Sequence, residues 1–344
     1  MALGGLLLGI TGLDRCKPHQ KRRLARHIER YQESKREMKR ALITGKQGFV
    51  GRHLADHLIA AGWDVFGFGR RPDGINSRSF QGEITDRHAL RIALEEARPD
   101  VIFHLAGRIK SDASELFYMV NLLGTVALFE SVLAAGIRPV MVVASSSAVY
   151  GHRSGKPISE RVVLRPLTHY AVSKVAQEAA ALRYYQSFCL PVMIVRMFNL
   201  LGLGQSADLA CSAFARQIAL AELNNENGIV TGNLSARRDF LDVRDAARAF
   251  ELVAKKGKAG QVYNVCSGHA AAIRKCLSEM ISMSPNQFTV ELGAARFQKN
   301  DIPIQVGNSL KLNRATGWRP KISLRESLSD LLNDWRQRVQ SELE

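Results

Sequence analysis

The chain has 344 residues, 46% of them hydrophobic and 23% charged, which is enough for a large buried core and excludes a low-complexity or disordered protein. The formal net charge of +16 is unevenly distributed: the first 40 residues hold 11 Lys and Arg against 4 Asp and Glu, a net of +7, and the other 304 residues carry +9. Five scattered cysteines without a C-x-x-C pair argue against a disulfide framework and against a zinc site.

Residues 1–37 are predicted to form a basic, peripheral extension. Their apolar start, MALGGLLLGITGL, comes before the basic residues rather than after them, and its 13 residues are too few to span a bilayer. We therefore expect neither a secretory signal nor a membrane span, and a basic amphipathic helix on a membrane surface is the alternative. Tyr31 is the only aromatic residue between the basic clusters. Because nucleic-acid binding usually combines basic with several aromatic side chains, it is not expected here.

From Met38 to residue 200, short apolar runs alternate with helical periodicity. Strands are predicted at 41–44, 64–68, 101–105, 140–144 and 192–195, and helices at 49–61, 89–97, 113–135 and 170–188. This alternation predicts an α/β fold with a Rossmann-type, doubly wound parallel sheet. Residues 201–344 have shorter elements, with helices at 243–254 and 324–339 and a strand at 262–265. They are predicted to form mainly a smaller C-terminal α/β substrate lobe, with some segments returning to the sheet.

A glycine-rich loop follows the first predicted strand and opens a helix: Thr44-Gly45-Lys46-Gln47-Gly48-Phe49-Val50-Gly51. In this context Gly45 permits a tight turn, Gly48 lets the backbone approach a pyrophosphate, and Gly51 lets the helix pack closely. Free N–H groups at the start of the helix favour phosphate oxygens. The loop therefore predicts a dinucleotide site.

The second predicted strand leads into Gly69-Arg70-Arg71, at a place where a chain that prefers NAD usually carries Asp or Glu. An acidic side chain there would bond the ribose hydroxyls, whereas two guanidinium groups suit a 2′-phosphate. NADP(H) is therefore the expected cofactor, and NAD(H) is the alternative.

Two further motifs indicate acid–base chemistry. Tyr170 and Lys174 are four residues apart, which is one helical turn on the same face. An ammonium beside a phenol favours the phenolate and so brings the phenol toward a useful acid–base range. The run Ser145-Ser146-Ser147-Ala148-Val149-Tyr150-Gly151 follows the fourth predicted strand, and a hydroxyl at that strand end can bond a reacting oxygen.

Over residues 39 to about 338, these motifs resemble the extended short-chain dehydrogenase/reductase family, and within it the GDP-4-keto-6-deoxy-D-mannose reductases. The glycine loop, the serine strand end and the Tyr-x-x-x-Lys pair carry the resemblance to the family. Four later stretches carry the resemblance to the reductases: RMFN at 196–199, RDFLDVRD at 238–245, VYNVCSG at 262–268 and TGWRP at 316–320.

The resemblance implies roles for individual residues. Ser146, Tyr170 and Lys174 would form a catalytic triad, while Ser146, Asn199 and Arg238 would bind the substrate, the last two at its diphosphate. Cofactor contacts are implied for Gly45, Gln47, Gly48, Phe49, Val50, Gly51, Arg70, Arg71, Glu83, Ile84, Leu105, Ala106, Tyr170 and Lys174. The chain departs from the family pattern at Glu83, where Asp is usual, and at 298–303, where an arginine is missing and Arg296 or Lys299 is expected to compensate.

The residues after Ser146 bear on the reaction. Family members that dehydrate sugars place Asp-Glu there, whereas this chain has Ser147-Ala148, so dehydration is not expected. The predicted reaction is NADPH-dependent reduction of the C4 ketone of a nucleotide 4-keto-6-deoxy sugar, GDP-4-keto-6-deoxy-D-mannose giving GDP-D-rhamnose. A 4-epimerase with bound NAD and a catalytically silent NADP-binding regulator are the alternatives. We expect a cytoplasmic protein without a metal, and a homodimer is left open.

Overall fold

The computed structural model describes residues 39–71, 78–153, 156–293 and 302–342. Its first half contains β1 (Arg40–Thr44), α1 (Phe49–Ala60), β2 (Asp64–Gly69), β3 (Ser79–Gln81), α2 (Arg87–Ala97), β4 (Val101–His104), α3 (Glu115–Ala134), β5 (Val140–Ser146), α4 (His169–Phe188) and β6 (Val192–Met197). Its second half contains β7 (Asn199–Leu201), α5 (Ala210–Asn224), β8 (Gly228–Thr231), β9 (Arg237–Asp242), α6 (Val243–Lys256), β10 (Val262–Val265), β11 (Ala270–Ala272), α7 (Ile273–Ile281), β12 (Thr289–Leu292), β13 (Ile304–Gln305), α8 (Leu310–Thr316) and α9 (Leu324–Ser341).

A parallel sheet of seven strands, in the order β10-β6-β5-β4-β1-β2-β3, forms the centre of the fold. Within it Leu42 lies opposite Ile102, and Ile43 lies opposite Phe103. All four side chains are fully buried, because helices cover both faces of the sheet. Ile43 and Phe103 pack toward α1 and α6, whereas Leu42 and Ile102 pack toward α2, α3 and α4. The predicted doubly wound α/β fold is confirmed.

The carboxyl ends of three central strands meet at one edge of the sheet. Thr44 ends β1, His104 ends β4, and Ser146 ends β5. Helix α4 begins beside this edge, where the Thr168 side chain caps it by accepting a hydrogen bond from the N–H of Ala171 at 3.2 Å. The cap places Tyr170 in the first turn of α4. In doubly wound folds ligands bind at this edge.

Helix α3 contains a π-helical turn at Tyr118–Leu123, which packs against α4. Such turns are frequent at functional sites. With a mean hydropathy of 1.7, α3 is long and apolar enough to cross a membrane, yet half of that apolar stretch is buried within the protein. This burial is what the core helix of a Rossmann-type domain requires.

The second half of the chain builds a further core, in which Ile218 of α5, Leu277 of α7 and Leu331 of α9 are buried together. Strand β9 pairs with β7, β11 and β13, and β8 pairs with β12. Strand β10 instead forms one edge of the central sheet. The domain boundary at residue 200 stays a prediction, and the predicted extension at residues 1–37 lies outside the described residues.

Candidate active site

The glycine loop between β1 and α1 is closed to side chains at two positions. Gly45 has a φ of +73°, and a Cβ there would lie 2.9 Å from the backbone nitrogen of Ala106. A Cβ at Gly51 would lie 2.3 Å from the carbonyl oxygen of Gly45. The first intrahelical bond of α1 runs from the N–H of Arg52 to the carbonyl of Gly48, so the N–H groups before it stand at the open end of the helix. This loop has the shape and polarity of a phosphate cradle.

The other residues implied in cofactor contacts lie along the same edge of the sheet. Leu105 and Ala106 follow β4 directly, and the N–H of Ala106 donates to Thr44 Oγ1 at 3.2 Å. Glu83 and Ile84 follow β3, the first exposed and the second buried. The edge therefore carries residues of two further loops beside the glycine loop.

Two arginines extend from the end of β2. Arg70 and Arg71 are exposed, and their backbone carbonyls accept hydrogen bonds from the side-chain amides of Gln81 and Gln47, respectively. These bonds fix the backbone that carries the guanidinium groups. The side chains themselves remain accessible to a charged ligand.

A small cavity beside these arginines adds two residues that the sequence motifs did not indicate. It is lined by Lys46, Gln47, Gly67, Phe68, Gly69, Arg71, Ser79 and Phe80. A Cβ at Gly67 would lie 2.6 Å from Lys46 Cδ, so a glycine in β2 makes room for this lysine. Lys46 occupies a variable position inside the glycine motif, and Ser79 is the first residue of β3. No sequence motif therefore marks either residue as part of a site. The lining carries two cations and no carboxylate.

Ser146 and Tyr170 meet at the carboxyl end of β5. Both side chains are half-buried, and they form a hydrogen bond with each other. Burial raises the pKa of the Tyr170 phenol above its usual range, and the Ser146 hydrogen bond acts in the opposite direction. The ring of Phe117 lies edge-on at 6.2 Å from the Tyr170 ring. The phenol is thus held in its neutral, proton-donating form next to a hydroxyl.

Lys174 lies one helical turn beyond Tyr170 and is buried. Its ammonium donates to the carbonyl oxygen of Ala144 at 2.9 Å and to Gln177 Oε1 at 2.7 Å. Burial lowers the pKa of Lys174 to about 8, against the opposing attraction of the Glu178 carboxylate. The three residues predicted as a triad therefore come from one strand end and one helix turn.

A buried ion pair supports this arrangement from behind. Arg196 on β6 donates to both oxygens of Glu178 on α4, at 2.8 and 2.6 Å, and both side chains are at most 6% exposed. Ser145 donates to the same carboxylate, and Arg196 also donates to the Tyr150 hydroxyl at 3.0 Å. The network joins β5, β6 and α4 behind Ser146. In the sequence, Arg196 is only the first residue of the RMFN stretch, and nothing there indicates its partner Glu178.

Ser147 and Ala148 occupy the places where dehydrating relatives carry Asp and Glu. The Ser147 hydroxyl donates to Gln305 Oε1 at 3.2 Å, and the Gln305 amide donates back to the Ser147 carbonyl at 3.1 Å. Both side chains are buried. Neither Ser147 nor Ala148 offers a strong acid or base, and the Ser147 hydroxyl is occupied by Gln305.

The two residues implied in diphosphate binding lie on neighbouring strands of the second half. Asn199 on β7 is paired with Phe240 on β9, two residues beyond Arg238. The Asn199 amide donates to the carbonyl of Asp239 at 3.4 Å, and the Arg238 guanidinium donates to the carbonyl of Ile302. Both side chains are half-buried. The proposed compensating residues, Arg296 and Lys299, lie outside the described residues.

Asn121, in the π turn of α3, is a site residue that the sequence did not indicate. It accepts from the N–H of Arg108 at 2.8 Å and donates to the Arg108 carbonyl at 3.1 Å. Its amide also donates to Ser173 Oγ at 2.8 Å. A Cβ at Gly107 would lie 3.4 Å from Lys174 Nζ, so this clamp holds the loop after β4 against the lysine. A π turn shifts one residue relative to helical spacing, and residue spacing alone does not reveal it.

Comparison with known proteins gives consistent matches over most of the chain. A model of the NAD dependent epimerase/dehydratase family matches residues 41–266. The chain is 32% identical over 314 residues to the GDP-6-deoxy-D-mannose reductase of Pseudomonas aeruginosa, covering 88% of this chain and 99% of that protein. It is 27% identical over 322 residues to the UDP-glucose 4-epimerase of Mycolicibacterium smegmatis, covering 88% and 100%. The fold is similar to a solved structure of RMD from Pseudomonas aeruginosa complexed with NADPH, with a TM-score of 0.79 and 30% identity, covering 87% of this chain and 98% of that one.

Proposed function

The chain belongs to the NAD dependent epimerase/dehydratase family, and we propose that it reduces the C4 ketone of a nucleotide-activated 4-keto-6-deoxy sugar with NADPH. The observation that carries this proposal is the meeting of Ser146, Tyr170 and Lys174 beside a glycine loop that fits a dinucleotide. The predicted family and the predicted oxidoreductase class are confirmed. The residue roles and the substrate are proposals.

In the proposed reaction each residue has one task. Bound NADPH supplies a hydride. Tyr170, kept neutral by burial, donates a proton to the oxygen that develops negative charge at C4, and Ser146 orients that oxygen through a hydrogen bond. Lys174 holds the nicotinamide ribose, and its positive charge makes the loss of the Tyr170 proton easier. Asn121 keeps the neighbouring loop in place by clamping both backbone groups of Arg108.

The end of β2 supports NADPH over NADH. Arg70, Arg71 and Lys46 offer positive charge where the 2′-phosphate of NADP(H) would lie, and Gly69 stands where an NAD-preferring chain carries an acid. The relative of known structure was complexed with NADPH, which agrees with this choice. A cofactor that exchanges after each turnover suits net reduction, whereas a 4-epimerase would reduce and reoxidise one tightly bound NAD.

The surroundings of Ser146 separate reduction from dehydration. Dehydration would need further acid–base groups, and Ser147 is bound to Gln305 while Ala148 is apolar. The reductase of Pseudomonas aeruginosa, at 32% identity, supports GDP-4-keto-6-deoxy-D-mannose as substrate and GDP-D-rhamnose as product. Asn199 and Arg238 are proposed to bind its diphosphate. The relative from Mycolicibacterium smegmatis keeps a 4-epimerase as the second candidate.

The experiment is a panel assay with purified full-length protein. NADPH is mixed with GDP-4-keto-6-deoxy-D-mannose and, separately, with dTDP- and UDP-linked 4-keto-6-deoxy sugars, and the loss of NADPH absorbance is followed. Consumption of NADPH with the GDP sugar as preferred substrate is the expected result. Interconversion of a UDP-hexose at C4 without consumption of NADPH would establish the epimerase instead, and no turnover of any substrate would contradict the proposed reaction.

We further propose a cytoplasmic homodimer. The four cysteines within the described residues are free, as a reducing compartment requires. Met119 and Leu123 on α3 and Val172 on α4 are exposed apolar side chains on neighbouring helices, which is a suitable face for a second copy. Light scattering on a size-exclusion column should give twice the monomer mass, and Leu123→Glu should reduce it to the monomer mass.

In the described part of the chain, no group of three or more His, Cys, Asp or Glu side chains could hold a metal.

A further inference from the structure

A continuous chain of buried hydrogen bonds runs from the glycine loop to Lys174. Thr44 Oγ1 lies 2.8 Å from His104 Nδ1, and His104 Nε2 lies 2.8 Å from Thr125 Oγ1. The Gln177 amide nitrogen lies 2.9 Å from Thr125 Oγ1, and Gln177 Oε1 lies 2.7 Å from Lys174 Nζ. The four side chains that lead to the lysine are fully buried. The chain crosses β1, β4, α3 and α4.

The donors and acceptors in this chain have one consistent assignment. The Thr125 hydroxyl uses its only proton on the carbonyl of Asn121, at 2.6 Å. Its two other neighbours must therefore donate to it, so His104 carries its proton on Nε2 and Gln177 presents its NH₂ group. His104 Nδ1 then accepts from the Thr44 hydroxyl. Burial, together with the positive charge of Lys174, lowers the pKa of His104 to about 3, so the ring is neutral as this assignment requires.

The assignment fixes which end of the Gln177 amide faces Lys174. With its NH₂ group held by Thr125, only the carbonyl can point at the ammonium. The flipped amide would place NH₂ against an ammonium. It would also set the Gln177 carbonyl oxygen against the Thr125 hydroxyl oxygen, whose proton is already used on Asn121, so two favourable contacts would be lost. Gln177 therefore presents an acceptor to Lys174 in every low-energy arrangement of the network.

We propose that Gln177 is a positioning residue for Lys174, whose ammonium it holds in place and keeps charged beside the cofactor site through a carbonyl that Thr125 and His104 orient. The inference rests on the proposed function, because that function gives Lys174 its place at the nicotinamide ribose. It extends the site to a residue that makes no contact with substrate or cofactor itself.

Other charged and titratable groups also face Lys174. Tyr170 and Glu178 lie on the same helix, and neutral His104 comes from β4. Arg196 from β6 binds both oxygens of Glu178, so the carboxylate shares its charge with a second cation. Gln177 and the Ala144 carbonyl are the acceptors that bond the ammonium directly. Loss of the Gln177 carbonyl should therefore change the pH at which Lys174 loses its proton.

The test is the pH dependence of kcat/KM for NADPH, which reports groups of the free enzyme. The wild type should lose activity as pH rises through about 8, where burial places the pKa of Lys174. Gln177→Met keeps the volume but removes the acceptor, so the charged form loses support and the falling limb should move down by about one pH unit. Gln177→Glu adds a negative charge beside the ammonium, so the limb should move up by a similar amount.

Two further variants complete the design. Thr125→Val removes the group that orients Gln177 and should shift the limb downward by less than Gln177→Met does. Tyr184→Phe is the matched control, because it removes a 2.6 Å hydrogen bond to Glu130 between the same two helices without touching the network. Tyr184→Phe should leave the limb in place. Thermal melting of each variant identifies those that fold.

A second measurement separates this inference from the proposed function. NADPH binding, followed by fluorescence across the same pH range, needs no sugar substrate, and its affinity should fall along the same shifted limbs. Shifted binding limbs without reduction of any ketone would sink the proposed function but support the role of Gln177. Coincident limbs for wild type, Gln177→Met and Gln177→Glu would overturn the inference, and so would a uniform loss of kcat without any shift.

Discussion

The two ends of the candidate site are built differently. At the chemical end, Lys174, Gln177 and Asn121 are buried and are held by short bonds to one another and to the backbone. At the other end, Arg70 and Arg71 are exposed, and side-chain amides of Gln81 and Gln47 hold their backbone. A lost bond in the buried end is not replaced by water, whereas exposed charges act through a screened field. We therefore expect changes at the first end to alter rate and stability, and changes at the second to alter cofactor preference.

The largest effect is expected at the phenol. Tyr170→Phe removes the proposed proton donor while keeping the ring, so kcat should fall by about 10²–10⁴-fold, the usual scale of general acid catalysis. NADPH binding should change little. Steady-state kinetics and fluorescence titration measure the two quantities.

Tyr118→Phe is a suitable control for that change. It removes a neighbouring phenol that bonds His169 Nδ1 at 2.9 Å but leaves the Ser146–Tyr170 pair intact. If Tyr170→Phe and Tyr118→Phe lose activity equally, the phenol of Tyr170 has no special role.

The next effect compares two ion pairs of the same geometry in different surroundings. Arg196–Glu178 is buried behind the triad, whereas Arg336–Glu222 joins two helices of the second half with side chains 32% and 16% exposed. Glu178→Gln should lower the free energy of unfolding by about 3–5 kcal/mol, the range for removing one partner of a buried pair. Glu222→Gln should lower it by about 1 kcal/mol, because water can replace the lost carboxylate. Urea unfolding followed by circular dichroism would show whether burial decides the difference, and equal losses would contradict it.

The smallest effect is expected at the exposed end. Arg70→Ala should narrow the preference for NADPH over NADH by about 1–3 kcal/mol, as for hydrogen bonds to charged groups, and less at high salt. Arg325→Ala removes a comparably exposed arginine, bound to Glu279 on the second half, and should leave the preference unchanged. Fluorescence titration of the wild type and both variants with NADPH and with NADH measures these preferences. Equal binding of NADPH and NADH by the unchanged protein would refute the proposed selectivity.

The sequence predicts some parts of the fold better than others. Six of the seven strands of the central sheet were predictable, because buried parallel strands are continuous apolar runs, as at 101–105 and 140–144. Strand β3 was not predicted, because its three residues form no buried apolar run. Strands β7, β11 and β13 have only two or three residues each, too few for any periodicity, and they form because β9 offers them partners.

Within the site, residues that belong to a local motif were predictable, and residues that act through distant contacts were not. The Tyr170–Lys174 pair follows from helical spacing. Asn121, Gln177 and His104 are ordinary polar residues in sequence. Only the fold joins them, through Thr125, into the hydrogen-bond network that ends at Lys174. Lys46 occupies a variable position of the glycine motif, so the motif does not indicate it. Its place beside the end of β2 depends on the space that Gly67 leaves for its side chain.

The most direct test of the central claim follows the hydride itself. Full-length protein is given NADPH in which both hydrogens at C4 of the nicotinamide are deuterium, together with GDP-4-keto-6-deoxy-D-mannose, and the product is examined by mass spectrometry and proton NMR. We expect one deuterium per product molecule, at C4 of the sugar, with one NADPH oxidised for each product formed. A product formed without deuterium at C4, or a sugar epimerised while NADPH remains unoxidised, would contradict it.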